Sequence, residues 1–546
     1  MPSSAEAHPP SNVAIPRWVV LLILTLIIGS AAAIRIRLLD MPLERDEGEY
    51  AYAGQLMLQG IPPYKLAYNM KLPGTYAAYA LIMAVFGQTI RGIHLGLIVV
   101  NSLTILLTYL FGKRLFGQIC GLVAAGVFAL LALSHSVLGL AAHATHFMTL
   151  FAIAGTVVLL RDLDKPRAMA LFSCGLLFGL AFLTKQNGIF FGLAAGTFLL
   201  WNERQRRNNW NESIGHIAVF SVGAILPFAI TCILLAIAGA FTHFWFWTFS
   251  YAGEYAQSQT WRGGLRELHH TLSGIINAAP GIWLLAIASS IGVLAQSANR
   301  RSAVLLFGFS VASLASAFPG LYFREHYFIP LLPAAALWLG AGIQMLVVRT
   351  TEQSRLRFPA AIAVALVALA ATQAIFRHHK LFFRLSPNEA ARAIYGTNPF
   401  AESLAVADYI HEHSAADARI AVIGSEPQIY FYSHRHSATG YIYTYSLVET
   451  NKYGPKMQKE MISEIEAAKP EYLILVHVPW SWLGSEQSAR DLAEWINRYA
   501  ARNFETVGMV DIKEGQPTDY RWDIKAVGAI PRSDNYLRIL RRKESF

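Results

Sequence analysis

Apolar residues fall in long unbroken blocks through the first 380 positions, with short polar breaks between them. Eleven blocks read as membrane helices: 18–37, 90–112, 118–135, 143–160, 168–184, 188–201, 215–238, 276–297, 302–318, 325–348 and 359–377. Roughly 20 apolar residues in helical geometry cross the hydrocarbon of a bilayer. Residues 76–86 are apolar as well but too few to cross alone, so the pattern predicts a re-entrant or interfacial helix there. Beyond residue 380 the blocks give way to amphipathic segments. SLAVADYIHEHSA, QKEMISEIEAAKP and ARDLAEWINRYAARN carry helical periodicity, and each precedes a strand-like run: RIAVIGS, EYLILVHV and FETVGMVDI. YLRILRRK reads as a last strand. Alternating helices and strands predict an α/β domain with a largely parallel sheet. The expected organisation is a tail at 1–16 without fixed structure, a polytopic α-helical membrane domain at 17–378 that includes a loop at 38–89, and an α/β domain at 379–546.

Composition agrees with this division. The chain is 54% hydrophobic and 15% charged, where a soluble domain of this length carries about 25% charge. The net charge of +10 needs no nucleic acid to explain it, because the cations sit in short loops. Lys113 and Arg114; Arg161, Lys165 and Arg167; Arg204, Arg206 and Arg207; Arg300 and Arg301; and Arg349, Arg355 and Arg357 follow spans two, four, six, eight and ten. The opposite short loops hold Lys185 and Arg324 and little else. Positive residues favour the cytoplasmic side, which predicts a cytoplasmic N-terminus, outer loops at 38–89 and 239–275, and an outer C-terminal domain. Arg35 and Arg37 run against the rule at the outer end of span one. The aromatics of FTHFWFWTFSYAGEY suit a membrane–water interface. The three cysteines, Cys120, Cys174 and Cys232, lie inside apolar blocks and form no disulfide or metal pattern.

Acids are scarce near the start of the chain, except at ERDEGEYAYAGQLMLQG, residues 44–60. In a helix, Asp46 and Glu49 share a face, and acids at a helix start are favoured by its dipole. Lys185, Arg324 and His326 are placed on the same side of the membrane, with His143 and His146 opening span four. Ionisable groups at membrane depth are costly and point to function; at the interface, snorkelling explains them equally well. Carboxylates beside cations on one leaflet suit an anionic lipid-borne substrate whose partner must lose a proton. His143, His146 and a carboxylate such as Glu47 offer donors for a divalent metal. The DLD at 162–164 falls in an expected cytoplasmic loop and is read as chance.

The stretches RDEGEYAYAGQLMLQGIPPY, KLPGTYAAYALIMAVFG, GLAFLTKQNGIFFGL and REHYFIPLLPAAALWLG occur in this order over residues 18–350. In this the chain resembles the bacterial GT-C glycosyltransferases, which include protein O-mannosyltransferases and the aminoarabinose transferases of lipid A. The resemblance implies an inner-membrane enzyme that moves a sugar from a polyprenyl-phosphate donor to a lipid, glycan or protein acceptor on the outer face. It implies inversion by direct displacement, with Asp46 as general base and Glu47 orienting the acceptor or holding a metal. Lys185, Arg324 and His326 would bind the donor phosphate, and Glu49, Tyr50, Lys71 and Tyr327 would make further donor or acceptor contacts. The one cofactor for which the sequence offers donors is a divalent metal, at His143, His146 and Glu47. Two other classes fit parts of the pattern: a flippase of a lipid-linked glycan, which would want deep intramembrane charges and internal repeats, and a non-catalytic envelope assembly protein acting through residues 380–546.

Overall fold

The computed structural model describes residues 15–164, 166–206, 209–296, 300–352, 357–482 and 486–543. Nearly all of the expected tail, with Lys165, Arg207 and Arg355, lies outside them.

All eleven expected spans are helices. They are α1 (Arg17–Arg37), α4 (Ile90–Leu115), α5 (Gln118–Leu131), α6 (Ala144–Arg161), α7 (Ala168–Thr184), α8 (Ile189–Gln205), α9 (Trp210–Ile237), α13 (Pro280–Leu294), α14 (Arg300–Ala315), α15 (Leu331–Glu352) and α16 (Arg357–Arg377). The first long loop adds α2 (Arg45–Leu58) and α3 (Gly74–Phe86). The second adds α10 (Phe241–Trp245), a π-turn at Phe246–Tyr251, α11 (Ala252–Tyr255) and α12 (Trp261–Ala278). The apolar pattern was a better guide to where helices lie than to how far they reach. Six helices among the described residues are long and apolar enough to cross a membrane, or seven if α12 and α13 count as one span bent by 100°. The other expected spans are short. The 15 residues of α13 reach only about 22 Å at ~1.5 Å per residue, against a hydrocarbon core of about 30 Å.

The basic loops gather at one end of the bundle. There Arg114 donates to the Val157 carbonyl, Arg206 to that of Leu163, and Arg301 pairs with Asp164. Both aspartates of the DLD segment are thus bound in ion pairs, Asp162 with Arg167. The two arginines in the last turn of α1 clamp backbone instead of snorkelling. Arg35 is buried and donates to the Ala132 carbonyl, while Arg37 caps the carbonyls of Leu381, Phe382 and Leu385.

The C-terminal domain begins with α17 (His379–Phe383), α18 (Pro387–Tyr395) and α19 (Glu402–His413). There follow β1 (Arg419–Ile423), α20 (Gln428–Ser433), β2 (His436–Ser437), α21 (Tyr445–Val448), α22 (Gly454–Ala468) and β3 (Tyr472–His477). The chain ends with α23 (Glu486–Asn503), β4 (Phe504–Asp511), β5 (Asp519–Trp522) and β6 (Tyr536–Arg542). The six strands run in the order β2-β1-β3-β6-β4-β5. The parallel pairs are β1–β2 and β1–β3; β6 lies antiparallel between β3 and β4, and β5 antiparallel to β4. The expectation of a largely parallel sheet is therefore corrected to a mixed one. The last strand does not take an edge after a helical crossover. It returns into the centre, where Leu537 and Ile539 are fully buried, a position that periodicity alone does not encode.

The C-terminal domain and the first long loop share one core. Leu43, Tyr52 and Tyr64 of the loop belong to the same buried cluster as Ile420, Tyr430 and Ile442. Polar contacts cross the seam: Leu43 N–H to Tyr432 Oη at 2.8 Å, Ser437 N–H to Tyr52 Oη at 2.8 Å and Tyr68 N–H to the Gly440 carbonyl at 2.6 Å. Gly48 makes the approach of α2 to α20 possible, since a Cβ there would lie 2.7 Å from the Gln428 backbone nitrogen. Gly48→Ala is expected to force the seam apart at a cost of about 1–3 kcal/mol. Thermal unfolding of the full chain in detergent should shift down, and limited proteolysis should release the C-terminal domain sooner than in the wild type.

Candidate functional site

The ERDEGEY segment forms the first turns of α2, and its four acids take four different positions. Glu44 is the N-cap, accepting the Glu47 N–H at 2.9 Å, while Glu47 reaches back to the Glu44 N–H at 3.3 Å. This reciprocal pair satisfies donors that a helix start leaves open. Glu47 also accepts from the Ala142 N–H at 2.6 Å and faces His94 Nε2 at 3.3 Å, with no exposure to solvent. Burial pushes its carboxyl up, but His94 and the Ala142 N–H outweigh this and hold it below the usual range. Both oxygens are taken, so Glu47 fastens α2 to the loop before α6. The geometry gives it this anchoring place and not the acceptor-side place expected for it.

Asp46 and Glu49 point the other way and share one cation. Lys71 Nζ lies 2.7 Å from Asp46 Oδ1 and 2.7 Å from Glu49 Oε2, and 4.6 Å above the Tyr50 ring. Tyr76 Oη donates to Glu49 Oε1 at 2.5 Å. Burial lifts the Glu49 carboxyl above its ordinary value, with Lys71 pulling against it. Burial also acts to raise Asp46, but Lys71, His143 and Lys185 prevail and hold it down at about 2. Asp46 is therefore an anion, neutralised by a lysine.

Gly74 and its neighbours bring that lysine in. A Cβ on Gly74 would meet the Leu183 carbonyl oxygen at 2.4 Å, so only glycine lets α3 touch the end of α7. Thr75 Oγ1 then donates to the Thr184 carbonyl at 2.7 Å, and Gln186 Nε2 to that of Met70 at 2.6 Å. These contacts place Lys71 and Lys185 side by side. Lys185 Nζ lies 3.8 Å over the Tyr327 ring and makes no hydrogen bond or ion pair among the described residues. Burial pushes its amine down to about 7, with Asp46 opposing.

Opposite Lys71, two imidazoles face Asp46. His143 and His326 stack with centroids 4.0 Å apart at 8°, and His143 Nδ1 and His326 Nε2 each lie 3.9 Å from Asp46 Oδ2. Both nitrogens of His143 are buried without a hydrogen-bond partner, as is His326 Nδ1. Burial drives His143 down to about 4, so the ring is neutral and free to ligate. Asp46, His143 and His326 offer donor atoms within 4.8 Å of one another, a nitrogen–oxygen set that suits a divalent cation. The expected metal candidates are thus rearranged. His143 belongs to the group, Asp46 and His326 join it, and Glu47 and His146 stand outside it.

Arg324 lies farther out. Its guanidinium is 5.9 Å from the Tyr322 ring and makes no ion pair among the described residues. Three further residues escaped the sequence reading. Tyr443 Oη donates to the Arg45 carbonyl at 3.0 Å and sits 3.5 Å from Asp46 Oδ1. Arg45 pairs with the buried Glu426 at 2.7 Å, locking α2 to the C-terminal domain. The alternating tyrosines of YIYTY, residues 441–445, were the available signal.

A family model described as dolichyl-phosphate-mannose-protein mannosyltransferase matches residues 71–233. An undecaprenyl phosphate-α-4-amino-4-deoxy-L-arabinose arabinosyl transferase of Pseudomonas aeruginosa (strain UCBPP-PA14) is 30% identical over 237 residues, 40% of this chain and 41% of the relative. The chain thus spans about 41% of the length of the curated relatives that it matches. The fold is similar to that of ArnT from Cupriavidus metallidurans bound to undecaprenyl phosphate, with a TM-score of 0.58 and 14% identity over 96% of this chain and 98% of that one. It is also similar to an Archaeoglobus fulgidus oligosaccharyltransferase tethered with an acceptor peptide, with a TM-score of 0.56 and 12% identity over 94% of this chain and 75% of that one. Over nearly its whole length the chain shares the fold of these two proteins, and residues 71–233 match the mannosyltransferase family model.

Proposed function

We propose that the protein is an integral-membrane glycosyltransferase. It moves a sugar from a polyprenyl-phosphate carrier to a lipid, glycan or protein acceptor on the outer face of a bacterial inner membrane. The observation that carries this reading is the carboxylate–cation cluster of Asp46, Glu49, Lys71 and Lys185 at one end of a GT-C bundle. The fold's relatives add weight, since one is described with undecaprenyl phosphate and another with dolichol phosphate.

The chemistry asks for a proton acceptor and a place for the negative charge of the leaving phosphate. Lys185 makes no ion pair among the described residues, stands next to Lys71 and over Tyr327, and is assigned to that phosphate, whose charge would favour its protonated form, with His326 beside it. Asp46 is assigned as general base in an inverting displacement. A carboxylate held at about 2 is a weak base. A phosphate beside Lys71 and Lys185 draws their field away from Asp46, so donor binding raises its basicity as the acceptor arrives. Glu49 stays as the fixed counter-charge that keeps Lys71 in place. A divalent cation held by Asp46, His143 and His326 would add positive charge beside the phosphate. Tyr443 closes the site on the C-terminal-domain side, and the Tyr50 ring lies under Lys71.

Asp46→Asn is expected to lower release of polyprenyl phosphate from a polyprenyl-phosphate sugar at least ~100-fold, with unchanged yield of folded protein. Turnover within a factor of two of wild type would remove Asp46 as the base. The metal assignment is checked by mass spectrometry of the purified protein after exposure to Zn²⁺ or Mn²⁺. Wild type should retain about one equivalent, and the His143→Ala, His326→Ala double variant none. For topology, a periplasm-active reporter after Phe546 should be active and one near Arg206 silent. The opposite pattern would put the site on the cytoplasmic face.

A further inference from the structure

Between the second long loop, the segment before α15 and the C-terminal domain lies a second group of chemistry-bearing side chains. Tyr255 and Tyr322 stack with centroids 4.4 Å apart at 8°, and Ser258 Oγ holds the Tyr322 hydroxyl at 2.7 Å. Glu449 approaches from the C-terminal domain, its Oε2 3.5 Å from Tyr251 Oη. Arg324 is exposed, its guanidinium 5.9 Å from the Tyr322 ring. Glu325 and Glu449 are its nearby acids, yet neither forms an ion pair with it among the described residues. Both tyrosines and Glu449 are half-buried.

The backbone that presents Tyr322 and Arg324 is strained. Gly320, Leu321 and Phe323 have φ of 80°, 55° and 42°. Left-handed geometry at a branched or bulky residue is costly and persists where packing over-determines it. That packing is present: Phe323 is 1% exposed, and Leu321 lies over Gly264 of α12, where a Cβ would meet it at 2.8 Å. Two non-glycine residues bear strain on either side of Tyr322, with the second directly before Arg324. The conformation stacks Tyr322 on Tyr255 and leaves the exposed guanidinium without an ion pair among the described residues.

An aromatic face accepts the apolar side of a sugar ring, a carboxylate accepts its hydroxyl protons, and a free guanidinium takes an anion in a forked pair. We propose that Tyr255, Tyr322, Arg324 and Glu449 form an acceptor vestibule for a saccharide that carries an anionic group. The inference rests on the transferase reading and names the acceptor class for it. Arg324 then serves the acceptor, and the donor phosphate belongs to Lys185, deeper at Tyr327. Burial lifts the Glu449 carboxyl to about 7, with Arg324 pulling against it, as suits a carboxyl that no protein cation neutralises fully. The same chemistry occurs on soluble glycans and on glycolipid headgroups.

The test is saturation-transfer NMR on the full chain in nanodiscs, with sodium glucuronate, glucose and dodecyl glucuronide as probes and no donor present. Ring-proton signals from glucuronate or dodecyl glucuronide are expected in the wild type. They should fall at least fivefold in Arg324→Gln and in Tyr322→Ala, and glucose should give less signal than glucuronate. Asp46→Asn and Lys185→Gln should keep the signal, so the vestibule and the transferase reading can fail separately. Signal from dodecyl glucuronide alone assigns a glycolipid acceptor, and signal from both probes admits soluble glycans. Equal signals in Arg324→Gln and wild type would overturn the proposal even if Tyr322→Ala fails to fold. So would loss in Lys185→Gln with retention in Arg324→Gln, or glucose binding as well as glucuronate.

Discussion

The ammonium of Lys71, held between Asp46 and Glu49, is the contact on which the candidate site depends. A charge taken out of water is expensive, and an unpaired one left behind costs about 3–5 kcal/mol. Glu49 has no exposure at all, so its place is tenable only with Lys71 and Tyr76 against it. The rest of the neighbourhood serves this requirement. Gly74 brings the Lys71 loop against the end of α7, Glu44 and Glu47 fix the start of α2, and Tyr443 closes the site from the C-terminal domain.

This pairing explains how acids and bases so close together keep separate duties. Asp46 divides its oxygens between Lys71 on one side and the stacked His143 and His326 on the other. Glu47, one residue along the helix, faces Ala142 and His94 and belongs to the scaffold. A helix turns about 100° per residue, so neighbouring acids must look in different directions. The tight cluster seen along the chain becomes one anchoring pair and one charged pair.

The seam between the membrane bundle and the C-terminal domain is the second organising feature. It is built from backbone contacts at glycine and from tyrosines whose hydroxyls find partners across it. The domain is therefore more than an appendage, since it brings Tyr443 beside Asp46 and Glu449 against Tyr251 of the second long loop. That coupling left a mark in the sequence, the alternation of Tyr441, Tyr443 and Tyr445, but one without a meaning of its own. Alternating aromatics describe equally well the exposed face of a strand.

The amino-acid sequence by itself determined the class of the molecule. Blocks of apolar residues report a solvent, the bilayer, and helices form wherever those blocks lie because backbone groups there must bond internally. It also marked Asp46, Glu49, Lys71, Lys185 and His143, since charge in an oily chain is costly enough to be conspicuous. The tertiary structure alone decided which of these meet: Lys71 with carboxylates 25 and 22 positions away, and Asp46 with His326. It likewise decided that β6 enters the centre of the sheet and that six or seven helices among the described residues have full spanning length. The physical reason is one of range. Periodicity encodes each residue's preference for water or oil over a few neighbours, whereas ion pairing and sheet order depend on contacts between distant segments that folding brings together.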